Sequence, residues 1–480
     1  YWIFLSDMKL LVTGGLGFIG SNFIIHVLKN YNDFEIINLD AEVDGSNHDN
    51  LKELEKSERY RFVKGNITNR KLLDELIPQV DCVINFAAES HVDRSIADPN
   101  PFLISNFRGV FTILEALKDR NKKFIQISTD EVFGTIKEGS ATEFTRFNPS
   151  SPYAATKASA ELLINAYVVT YKIDAIITRC TNNYGPRQFF EKLMPKAISL
   201  SIKNKDIPLY GNGKSIRDWI FVEDHCEAIM SVLKNGVSGD TYNISASNEI
   251  DNLQVVKSIL KILDGAEELI KFVPSRPGED TRYSLDSTKI RRELDWKPKV
   301  TFEEGIKRTI EWYQTNKEWG VNTSNEVFSE TPWKNKDWNK NMKGIILHGG
   351  HGTRLRPLTH TGPKQLLPIA NKPMSQFCLE TIAETGINEI AIIVGGVGAD
   401  KVREYYGDGK EFGVNITYIE QDEPRGIAHA IRLCKEFVNN DKFLVFLGDN
   451  IIQKPITDFV EDFNKSDYDA TVLLCEVDNP

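Results

Sequence analysis

A glycine-rich turn near the start of the chain constrains its fold more than any other feature. Residues 9–13 form a short apolar run, and the turn that follows reads Gly-Gly-Leu-Gly-Phe-Ile-Gly over residues 14–20. A helical pattern over 21–28 comes next, and a second apolar run ends at Asp40. Glycines between a strand and a helix allow φ > 0 and let backbone N–H groups approach a pyrophosphate. This order predicts the first βαβ unit of a dinucleotide-binding sheet.

Strands and helices continue to alternate after this unit. Further buried-strand patterns lie at 61–63, 82–86, 124–128 and 175–178, and helical patterns lie between them and beside them, at 71–77, 106–118 and 153–171. Such alternation is typical of a parallel sheet covered on both faces. We therefore predict an α/β fold, a Rossmann-type doubly wound parallel sheet. A smaller substrate lobe is expected after residue 186, where the elements become short and irregular.

Asp40 indicates which dinucleotide would bind. It lies 20 residues beyond Gly20, at the end of the second predicted strand. A carboxylate at that place accepts hydrogen bonds from an adenine ribose. Its negative charge disfavours a 2′-phosphate, and no arginine or lysine follows it directly. The sequence thus favours NAD over NADP.

The segment Ser128–Gly134 combines residue types that are suited to proton transfer. Asp130 and Glu131 stand side by side just after an apolar run. They are therefore expected at the carboxyl end of a strand, where ligands bind in open α/β sheets. Two carboxyl groups can serve as an acid and a base. A plain dehydrogenase has no use for them, whereas oxidation, dehydration and re-reduction of a sugar requires both.

Tyr153 and Lys157 lie four residues apart on a predicted helix, and therefore on one face. A free tyrosine has a pKa of about 10 and is a poor base at neutral pH. A lysine cation about 4 Å away in a partly screened site stabilises a phenolate by roughly 4 kcal/mol. We expect Lys157 to lower the pKa of Tyr153 toward neutrality, so that the phenol accepts a proton. Thr129 would hold the reacting hydroxyl.

Composition limits the classes of partner. The 480 residues carry a net charge of −10 without a basic block, which argues against nucleic acid. The sequence contains no run of about 18 apolar residues, so we expect no membrane partner. Six scattered cysteines without a CxxC pair favour reduced thiols and a cytoplasmic location. Residues 1–7, before the first methionine, are interpreted as extra leader without a function.

Taken together, the motifs resemble those of the dTDP-glucose 4,6-dehydratases, within the extended short-chain dehydrogenase/reductase family. The resemblance runs from about residue 9 to about residue 319. The segments that carry it are Thr13–Gly20, Ala87–Ser95, Ser128–Gly134, Tyr153–Lys157, Asn182–Pro186, Glu191–Pro195, Gly211–Gly213, Ile216–Trp219 and Val222–His225.

The resemblance implies a reaction cycle on dTDP-glucose. Tyr153 would take the proton of the C4 hydroxyl as hydride leaves for NAD. Glu131 would then remove the C5 proton, and Asp130 would protonate the departing C6 hydroxyl. The hydride returns to C6, so NAD is recycled and stays tightly bound. The product would be dTDP-4-keto-6-deoxyglucose.

The resemblance also implies site residues, carried over by position. The implied catalytic residues are Thr129, Asp130, Glu131, Tyr153 and Lys157. The implied cofactor contacts are Gly14, Gly17, Phe18, Ile19, Gly20, Asp40, Asn66, Ile67, Ala87, Tyr153 and Lys157. Contacts to the nucleotide sugar would come from Ser90, Asn182, Arg276 and Arg217, the last of these on the diphosphate. Relatives suggest a homodimer through a helical interface.

Three sites depart from the family pattern. Phe133 stands where a tyrosine is usual, and Asn66 where an aspartate usually holds the adenine. Glu279 and Thr281 stand where a histidine and a basic residue are usual. The loss of positive charge leaves the nucleotide base open, so a UDP- or CDP-sugar is an alternative substrate. Two further alternatives are a nucleotide-sugar 4-epimerase and a non-catalytic NAD-binding scaffold, neither of which needs the paired carboxyl groups.

A second pattern of strand and glycine-rich turn begins at Met342. The motifs that follow resemble those of the glucose-1-phosphate thymidylyltransferases. This resemblance implies nucleotide contacts by Gly350, Gly352, Thr353, Arg354, Lys364, Gln421 and Gly426, and a magnesium ligand in Asp449. His348 replaces a usual alanine and is expected to be a solvated loop residue, with metal binding together with His351 as the alternative. Because the match covers only about the first half of that catalytic domain, we expect no transferase activity.

The sequence therefore predicts four segments. An NAD-binding Rossmann domain spans 8–186, interleaved with a sugar-nucleotide-binding lobe at 187–320. The polar stretch 321–341 is interpreted as a linker or a loosely packed tail, and 342–480 as a truncated nucleotidyltransferase-like domain. Met342 could start a reading frame of its own, which favours two joined frames over a true fusion.

Overall fold

The chain forms two compact units, residues 1–335 and 336–480. In this computed structural model, the described residues are 8–43, 45–320, 325–328, 332–334, 342–348, 363–395, 398–423, 425–438, 441–452, 455–465 and 470–473. Each unit has its own parallel sheet and its own hydrophobic core. Among the described residues, no helix combines the length and the apolar character needed to cross a membrane.

The first unit is built on a seven-stranded sheet. The strands of the unit are β1 (Met8–Thr13), β2 (Phe34–Asp40), β3 (Tyr60–Lys64), β4 (Cys82–Asn85), β5 (Lys123–Thr129), β6 (Ala175–Cys180), β7 (Asn182–Tyr184), β8 (Ile207–Tyr210), β9 (Ile216–Phe221), β10 (Thr241–Ile244), β11 (Glu249–Asp251) and β12 (Ile270–Val273). The large sheet has the order β10-β6-β5-β4-β1-β2-β3, and all its neighbours run parallel. The predicted Rossmann-type sheet is confirmed. Its order reverses between β1 and β4, where such sheets bind ligands beyond the carboxyl ends of their strands.

The helices of the first unit cover both faces of this sheet and also pack in the smaller lobe. They are α1 (Phe18–Asn30), α2 (Arg70–Leu76), α3 (Val92–Ala97), α4 (Asn100–Phe102), α5 (Val110–Leu117), α6 (Pro152–Tyr171), α7 (Leu193–Ile202), α8 (Val222–Asn235), α9 (Asn252–Ile262), α10 (Thr288–Leu294) and α11 (Phe302–Thr315). One core cluster packs α1 and α8 on one face, and another packs α2, α5 and α6 on the other. Because both faces are covered, the central strands are apolar throughout and not alternating.

A smaller lobe lies beyond the carboxyl edge of the sheet. It contains the sheets β11-β9-β7 and β12-β8, packed against α7, α9 and α11. Strand β7 begins two residues after β6 ends, and it pairs with β9, so Asn182 lies opposite Trp219. The lobe is thereby anchored directly above the end of β6, next to the strand that carries the predicted catalytic segment.

The helix expected over 106–118 is divided in the structure. A π-helix, Leu103–Gly109, leads into α5. Within it, the Asn106 carboxamide pairs with the backbone N–H and C=O of Glu89, both at 2.9 Å, and donates to Thr156 Oγ1 at 3.1 Å. This side chain ties the π-helix to the loop after β4 and to α6. The apolar spacing that predicted a helix does not reveal such a wider turn.

Part of the segment 321–341 packs onto the first unit. Two 3-10 turns lie there, at Asn325–Phe328 and Pro332–Lys334. The Phe328 ring lies 6.1 Å from that of Phe190, and the Trp333 ring lies 5.0 Å from that of Tyr210. The sequence predicted a linker or a loose tail because the segment is polar on average. Its few aromatic side chains nevertheless bind it to the substrate lobe.

The second unit is a smaller α/β unit, as predicted. Its strands are β13 (Met342–Leu347), β14 (Pro368–Ile369), β15 (Lys372–Pro373), β16 (Glu389–Val394), β17 (Asn415–Glu420) and β18 (Lys442–Leu447). Its helices are α12 (Met374–Glu384), α13 (Ala399–Tyr406), α14 (Ile427–Leu433), α15 (Lys435–Val438) and α16 (Thr457–Lys465). Four strands form a parallel sheet in the order β17-β16-β13-β18.

His348, at the end of β13, corrects one expectation from the sequence. We expected a solvated loop residue, but the side chain is buried. Burial lowers the pKa of His348 to about 3, so the ring is neutral. The His348 ring lies against the turn that follows β18, since a Cβ at Gly448 would be 2.9 Å from the Cδ2 atom of His348. The residue is therefore part of the interior at the carboxyl edge of this sheet.

Three polar side chains join the central strands of the large sheet. Thr13 Oγ1 donates to Asn85 Oδ1 at 2.5 Å, and Asn85 Nδ2 donates to Gln126 Oε1 at 2.8 Å. All three residues are buried. Buried polar groups cost stability unless they are paired. The chain of hydrogen bonds therefore fixes how β1, β4 and β5 lie against one another beneath the site.

Replacing Asn85 with leucine should leave Thr13 and Gln126 without their partner. We expect the free energy of unfolding of the first unit to fall by about 2–4 kcal/mol. Urea unfolding followed by circular dichroism measures this change. Asn30→Leu, at the exposed end of α1, is the control and should shift stability by no more than about 0.5 kcal/mol. Equal midpoints for the two variants would contradict the role of the network.

Candidate active site

The glycine-rich turn forms a close-packed cradle between β1 and α1. At Gly14, φ is +71°, and a Cβ would lie 2.6 Å from the backbone nitrogen of Ala87. A Cβ at Gly20 would lie 2.4 Å from the carbonyl oxygen of Gly14. Neither position can therefore carry a side chain. Helix α1 has no side-chain cap at Gly17, so the N–H groups of its first turn, residues 18 and 19 among them, suit a pyrophosphate.

Asp40 completes this cradle from the end of β2. Its carboxylate accepts hydrogen bonds from Leu16 N at 2.9 Å, Glu42 N at 2.8 Å and Ser46 Oγ at 2.9 Å. Burial raises the pKa of Asp40, and these hydrogen bonds oppose that effect. A carboxylate offers about four acceptor positions. Roughly one position is thus left for a ribose hydroxyl, and Asp40 also shapes the turn itself.

Asn66 and Ile67 follow β3, on the same side of the sheet as Asp40. Asn66 Oδ1 accepts from the backbone N–H and the hydroxyl of Thr68, both at 2.9 Å. Its amide nitrogen is then the group able to hydrogen-bond a base. Ile67 is buried against Gly109, where a Cβ would lie 2.4 Å from its Cδ1. Both positions fit the adenine end of a dinucleotide that starts at the glycine cradle.

The predicted catalytic residues come from two neighbouring elements. Strand β5 ends at Thr129, and the 3-10 turn Asp130–Phe133 follows directly. Thr129 Oγ1 caps this turn by accepting from the backbone of Glu131 at 3.3 Å. Tyr153 and Lys157 lie on α6, and the Thr129 hydroxyl is near enough to the Tyr153 phenol to oppose the rise of its pKa. The structure therefore brings the phenol, the threonine and both carboxyl groups to one place.

The expected effect of Lys157 on Tyr153 is not present in the structure. Burial, followed by the negative charge of Glu131, raises the pKa of Tyr153 well above its ordinary value. Lys157 Nζ donates to the carbonyl oxygen of Ile127 at 2.6 Å, and burial lowers the pKa of this amine to about 8. The prediction of a lowered phenol pKa is thus wrong for the protein alone, because burial and the neighbouring carboxyl groups raise this pKa while the Lys157 amine binds the carbonyl oxygen of Ile127.

The two adjacent carboxyl groups have different surroundings. Asp130 is buried, and burial together with the charge of Glu131 raises its pKa well above the ordinary value. Within the described part of the chain, its Oδ2 has no hydrogen-bond partner. Burial also raises the pKa of Glu131, but three cations oppose the effect, Arg276, Lys192 and Arg217. Asp130 is therefore held as an acid, while Glu131 has partners that favour its ionised form.

Arg217 lies in the interior of the site. The residue is 5% exposed, which excludes a surface ion pair. Its guanidinium stacks on Tyr283, with Cζ 4.4 Å from the ring centroid. Two of its nitrogens donate to the carbonyl oxygens of Ile216 and Asp280, both at 2.8 Å. The side chain is thus fixed in place near Asp130, and its positive charge opposes the rise of the Asp130 pKa.

The remaining predicted substrate contacts border the same group of charges. Arg276 Nη1 donates to Asp93 Oδ1 at 3.0 Å, and Lys192 Nζ donates to the carbonyl oxygen of Ser90 at 2.6 Å. In the described residues, the buried atoms Arg276 Nε and Asn182 Oδ1 have no hydrogen-bond partner. Such orphaned atoms are rare in proteins and are expected where a polar ligand binds.

Lys192, Asp93 and Tyr283 neighbour the site residues, and the sequence analysis assigned them no role. Lys192 faces Glu131, Asp93 holds Arg276, and Tyr283 supports Arg217. Asp93 and Lys192 lie in segments that carry the resemblance, and Tyr283 lies outside them. Their partners are far away in the sequence, 183 residues in the case of Asp93 and Arg276, so no local spacing could have paired them.

Few of the nucleotide contacts predicted for the second unit can be placed. Gly350, Gly352, Thr353 and Arg354 lie outside the described residues. The Lys364 ammonium forms an ion pair with Asp449, the predicted magnesium ligand. Gln421 is buried, and its Nε2 lies 3.0 Å from His429 Nδ1. Gly426 precedes α14 with φ +92°, and a Cβ at this position would meet no atom within 4 Å. The described residues contain no group of three or more acidic, histidine or cysteine side chains able to hold a metal.

The fold and the site define a class, the NAD-binding enzymes of the extended short-chain dehydrogenase/reductase type. The family model described as GDP-mannose 4,6 dehydratase matches residues 11–309, and the chain belongs to this family. A second family model, nucleotidyl transferase, matches residues 343–480.

Relatives in the first region are similar over nearly their full length. The low-salt glycan biosynthesis protein Agl12 of Haloferax volcanii is 44% identical over 64% of this chain and 98% of its own. The dTDP-glucose 4,6-dehydratase of Escherichia coli is 43% identical over 65% of this chain and 95% of its own. The solved structure of the Bacillus anthracis dTDP-glucose 4,6-dehydratase with NAD has 44% identity and a TM-score of 0.62, covering 65% of this chain and 98% of that one. Solved nucleotide-sugar 4-epimerases share the fold at 26–29% identity.

Changing Asp130 to asparagine should separate stability from activity. A buried carboxyl whose pKa is raised destabilises the folded state once the pH rises above its unfolded pKa, because ionisation is unfavourable in the fold. We therefore expect Asp130→Asn to be more stable than the wild type at pH 8, with the difference shrinking toward acidic pH. Turnover should fall by at least about 100-fold, since a general acid is lost. Thermal unfolding at several pH values and an activity assay measure both effects, and a variant less stable at pH 8 would contradict the assignment.

Proposed function

We propose that residues 8–320 catalyse the NAD-dependent dehydration of dTDP-glucose to dTDP-4-keto-6-deoxyglucose. The reaction would comprise oxidation at C4, loss of water across C5–C6 and return of hydride to C6. One observation carries the proposal: beside Tyr153, the structure holds Asp130 as a buried acid and Glu131 as a carboxyl group faced by three cations. A 4-epimerase or an NAD-binding scaffold has no need of such a pair.

The proton transfers follow from these environments. Tyr153 would accept the proton of the C4 hydroxyl, which Thr129 holds through its own hydroxyl. Once C4 is a ketone, the C5 proton is acidic, and ionised Glu131 would remove it. Asp130 would give its proton to the departing C6 hydroxyl, so that water and not hydroxide leaves. Asp130 thus has the protonation state that its role requires at neutral pH. The pKa values of Tyr153 and Glu131 are raised in the protein alone, so these two groups would act as bases only with the help of positive charge, from bound NAD beside Tyr153 and from the cations around Glu131.

The residues present fit NAD. Gly14, Gly17 and Gly20 leave a cradle that a Cβ would fill, with α1 behind it. Asp40 retains an acceptor position for the ribose, and Asn66 has an amide donor for the base. When bound, oxidised NAD would supply a hydride acceptor and a positive charge beside the Tyr153 phenol.

The proposed substrate contacts are Ser90, Asn182, Arg217 and Arg276, and we now add Lys192. Arg217 and Arg276 belong to a buried group of cations that suits a diphosphate. The two buried atoms without partners, Asn182 Oδ1 and Arg276 Nε, would gain them from the nucleotide sugar. The thymine base is the least constrained part of the substrate, and UDP- and CDP-glucose are the alternatives to be tested beside dTDP-glucose.

For the second unit, we propose nucleotide binding through Lys364, Gln421 and Gly426, together with the predicted glycine-turn residues. Magnesium would require Asp449 to exchange its present partner Lys364 for the metal. We propose that this unit has no transferase activity of its own. Residues 321–341 would connect it to the substrate lobe.

The proposal includes a homodimer in the cytoplasm. Several apolar side chains on two neighbouring helical elements are exposed, including Phe107 and Phe111 on the π-helix and α5, and Leu162 (60%) and Val169 (69%) on α6. Exposed apolar side chains on neighbouring helices favour association. The described cysteines, Cys82, Cys180, Cys226, Cys378 and Cys434, are free thiols, which fits a reducing compartment.

Replacing Glu131 with glutamine should block dehydration but not oxidation. Purified protein is incubated with dTDP-glucose, UDP-glucose and CDP-glucose, and alkali is added to reveal a 4-keto-6-deoxy sugar by its absorbance. We expect product with dTDP-glucose for the wild type. Glu131→Gln should give none, a loss of at least about 1,000-fold, while reduced NAD accumulates slowly on the enzyme.

Glu138→Gln, an exposed change in the loop that follows, is the matched control and should leave turnover unchanged. If Glu131→Gln forms product at the wild-type rate, Glu131 is not the base that removes the C5 proton. A wild type that interconverts C4 epimers without forming the keto sugar would overturn the proposed reaction, and turnover of UDP-glucose alone would overturn the base.

The proposed dimer can be tested on the same preparations. The double change Leu162→Glu and Val169→Glu places charges on the apolar face of α6, and we expect it to shift the protein from dimer to monomer in sedimentation velocity. Val237→Glu, at an exposed apolar position elsewhere (57%), is the control and should stay dimeric. A monomeric wild type would contradict the proposal.

A further inference from the structure

A buried ion pair lies behind the catalytic residues, between α6 and β6. Glu161 and Arg179 are almost completely inaccessible, with side-chain exposures of 0% and 3%. Arg179 Nη2 and Nε donate to Glu161 Oε2 at 2.7 and 2.9 Å, and Ser128 Oγ donates to Oε1 at 2.5 Å. The carboxylate is thereby held by β6 through the arginine and by β5 through the serine.

The position of Glu161 on its helix connects this pair to the chemistry. It lies four residues after Lys157 and eight after Tyr153, so all three share one face of α6. Ser128, which binds Glu161, directly precedes Thr129 at the end of β5. The pair therefore fastens the helix that carries the phenol and the amine to the strand that ends in the threonine and the carboxyl groups.

Arg179 also reaches the turn that contains those carboxyl groups. Its Cζ lies 4.9 Å from the ring centroid of Phe133 and 5.0 Å from that of Phe147. Its Nη1 donates to the carbonyl oxygen of Glu143 at 3.1 Å. Phe133 is the last residue of the 3-10 turn Asp130–Phe133. The substitution of phenylalanine for the family's usual tyrosine thus keeps the aromatic face on which the guanidinium rests.

We propose that the Glu161–Arg179 pair is a positioning device for the hydride-transfer residues, one that sets the register of α6 against β5 and balances the charge behind Lys157. This inference rests on the proposed function. A buried ion pair adds little net stability, because removing two charges from water offsets their attraction. The pair lies between the catalytic residues of α6 and those at the end of β5, and this position suits a role in catalysis more than one in stability.

The charge around Lys157 gives the proposal a distinctive signature. Its ammonium is buried and faces Glu161 on its own helix, the Cys180 thiol on β6 and the carbonyl of Ile127 on β5. With Glu161 gone, Arg179 is left as an unbalanced positive charge, which disfavours the ammonium. With Arg179 gone, Glu161 is left as an unbalanced negative charge, which favours it. The two single changes should therefore act in opposite directions.

The experiment isolates the oxidation step, because dehydration has its own requirement for a protonated Asp130. In a Glu131→Gln background, the rate of NAD reduction by dTDP-glucose is followed from pH 6 to pH 10. We expect the alkaline limb of this profile to move down by about one pH unit in Glu161→Gln and up in Arg179→Met, by a similar amount. NAD content and thermal unfolding of each purified variant are measured in parallel.

Conservative variants separate position from charge. Glu161→Asp and Arg179→Lys keep both charges, but the first has a shorter side chain and the second lacks the forked guanidinium. We expect the alkaline limb of the pH profile to stay in place, while the rate falls at least about tenfold at unchanged KM. They also serve if either neutral variant fails to fold. Glu249→Gln is the matched control, since Glu249 binds Arg282 Nε and Nη2 at 2.7 Å in the substrate lobe. It should leave the profile unchanged.

The outcomes distinguish the inference from the function on which it rests. A Glu131→Gln protein that reduces no NAD with dTDP-glucose would overturn the proposed function and this inference with it. Normal NAD reduction, with limbs that coincide in all variants or move in the same direction for both neutral changes, would overturn the positioning role alone.

Discussion

Exclusion of water from the end of β5 is the constraint on which the rest of the site depends. It keeps the proton on Asp130, raises the pKa of the Tyr153 phenol and lowers that of the Lys157 amine. None of these groups has its ordinary pKa, so each needs a charged neighbour that brings its pKa to the value its role requires. The three cations around Glu131 and the ion pair behind Lys157 supply such charges.

The sequence is a reliable guide to the fold and to the residue types at the site. A strand, a glycine-rich turn and a helix could be located because each has a local pattern, and the parallel sheet follows from their alternation. The wider turn at Leu103–Gly109 was not visible, since one extra residue in a helical turn barely alters apolar spacing. The anchoring of Phe328 and Trp333 was hidden for a similar reason, because a few aromatic contacts decide the packing of a segment that is polar on average.

Electrostatics is where inference from the sequence was weakest. The spacing of Tyr153 and Lys157 predicted that they share a helix face, which says nothing about how much water remains around them. The structure shows that desolvation dominates, which reverses the expected direction of the phenol's pKa. Similarly, an acidic chain with a net charge of −10 gathers Lys192, Arg217 and Arg276 around Glu131 from three separate segments. Overall charge therefore says little about the field inside a cleft.

The hydrogen bonds at Asp40 have a consequence for any attempt to change the nucleotide that this protein accepts. Its carboxylate closes the turn through Leu16, Glu42 and Ser46, and in the proposed function it would also accept a hydrogen bond from a sugar hydroxyl. A residue that recognised a different ribose would also have to rebuild those three attachments. Cofactor selectivity and local folding are thus coupled in the Asp40 side chain. Replacing Asp40 alone would therefore disturb the turn as well as change the cofactor preference.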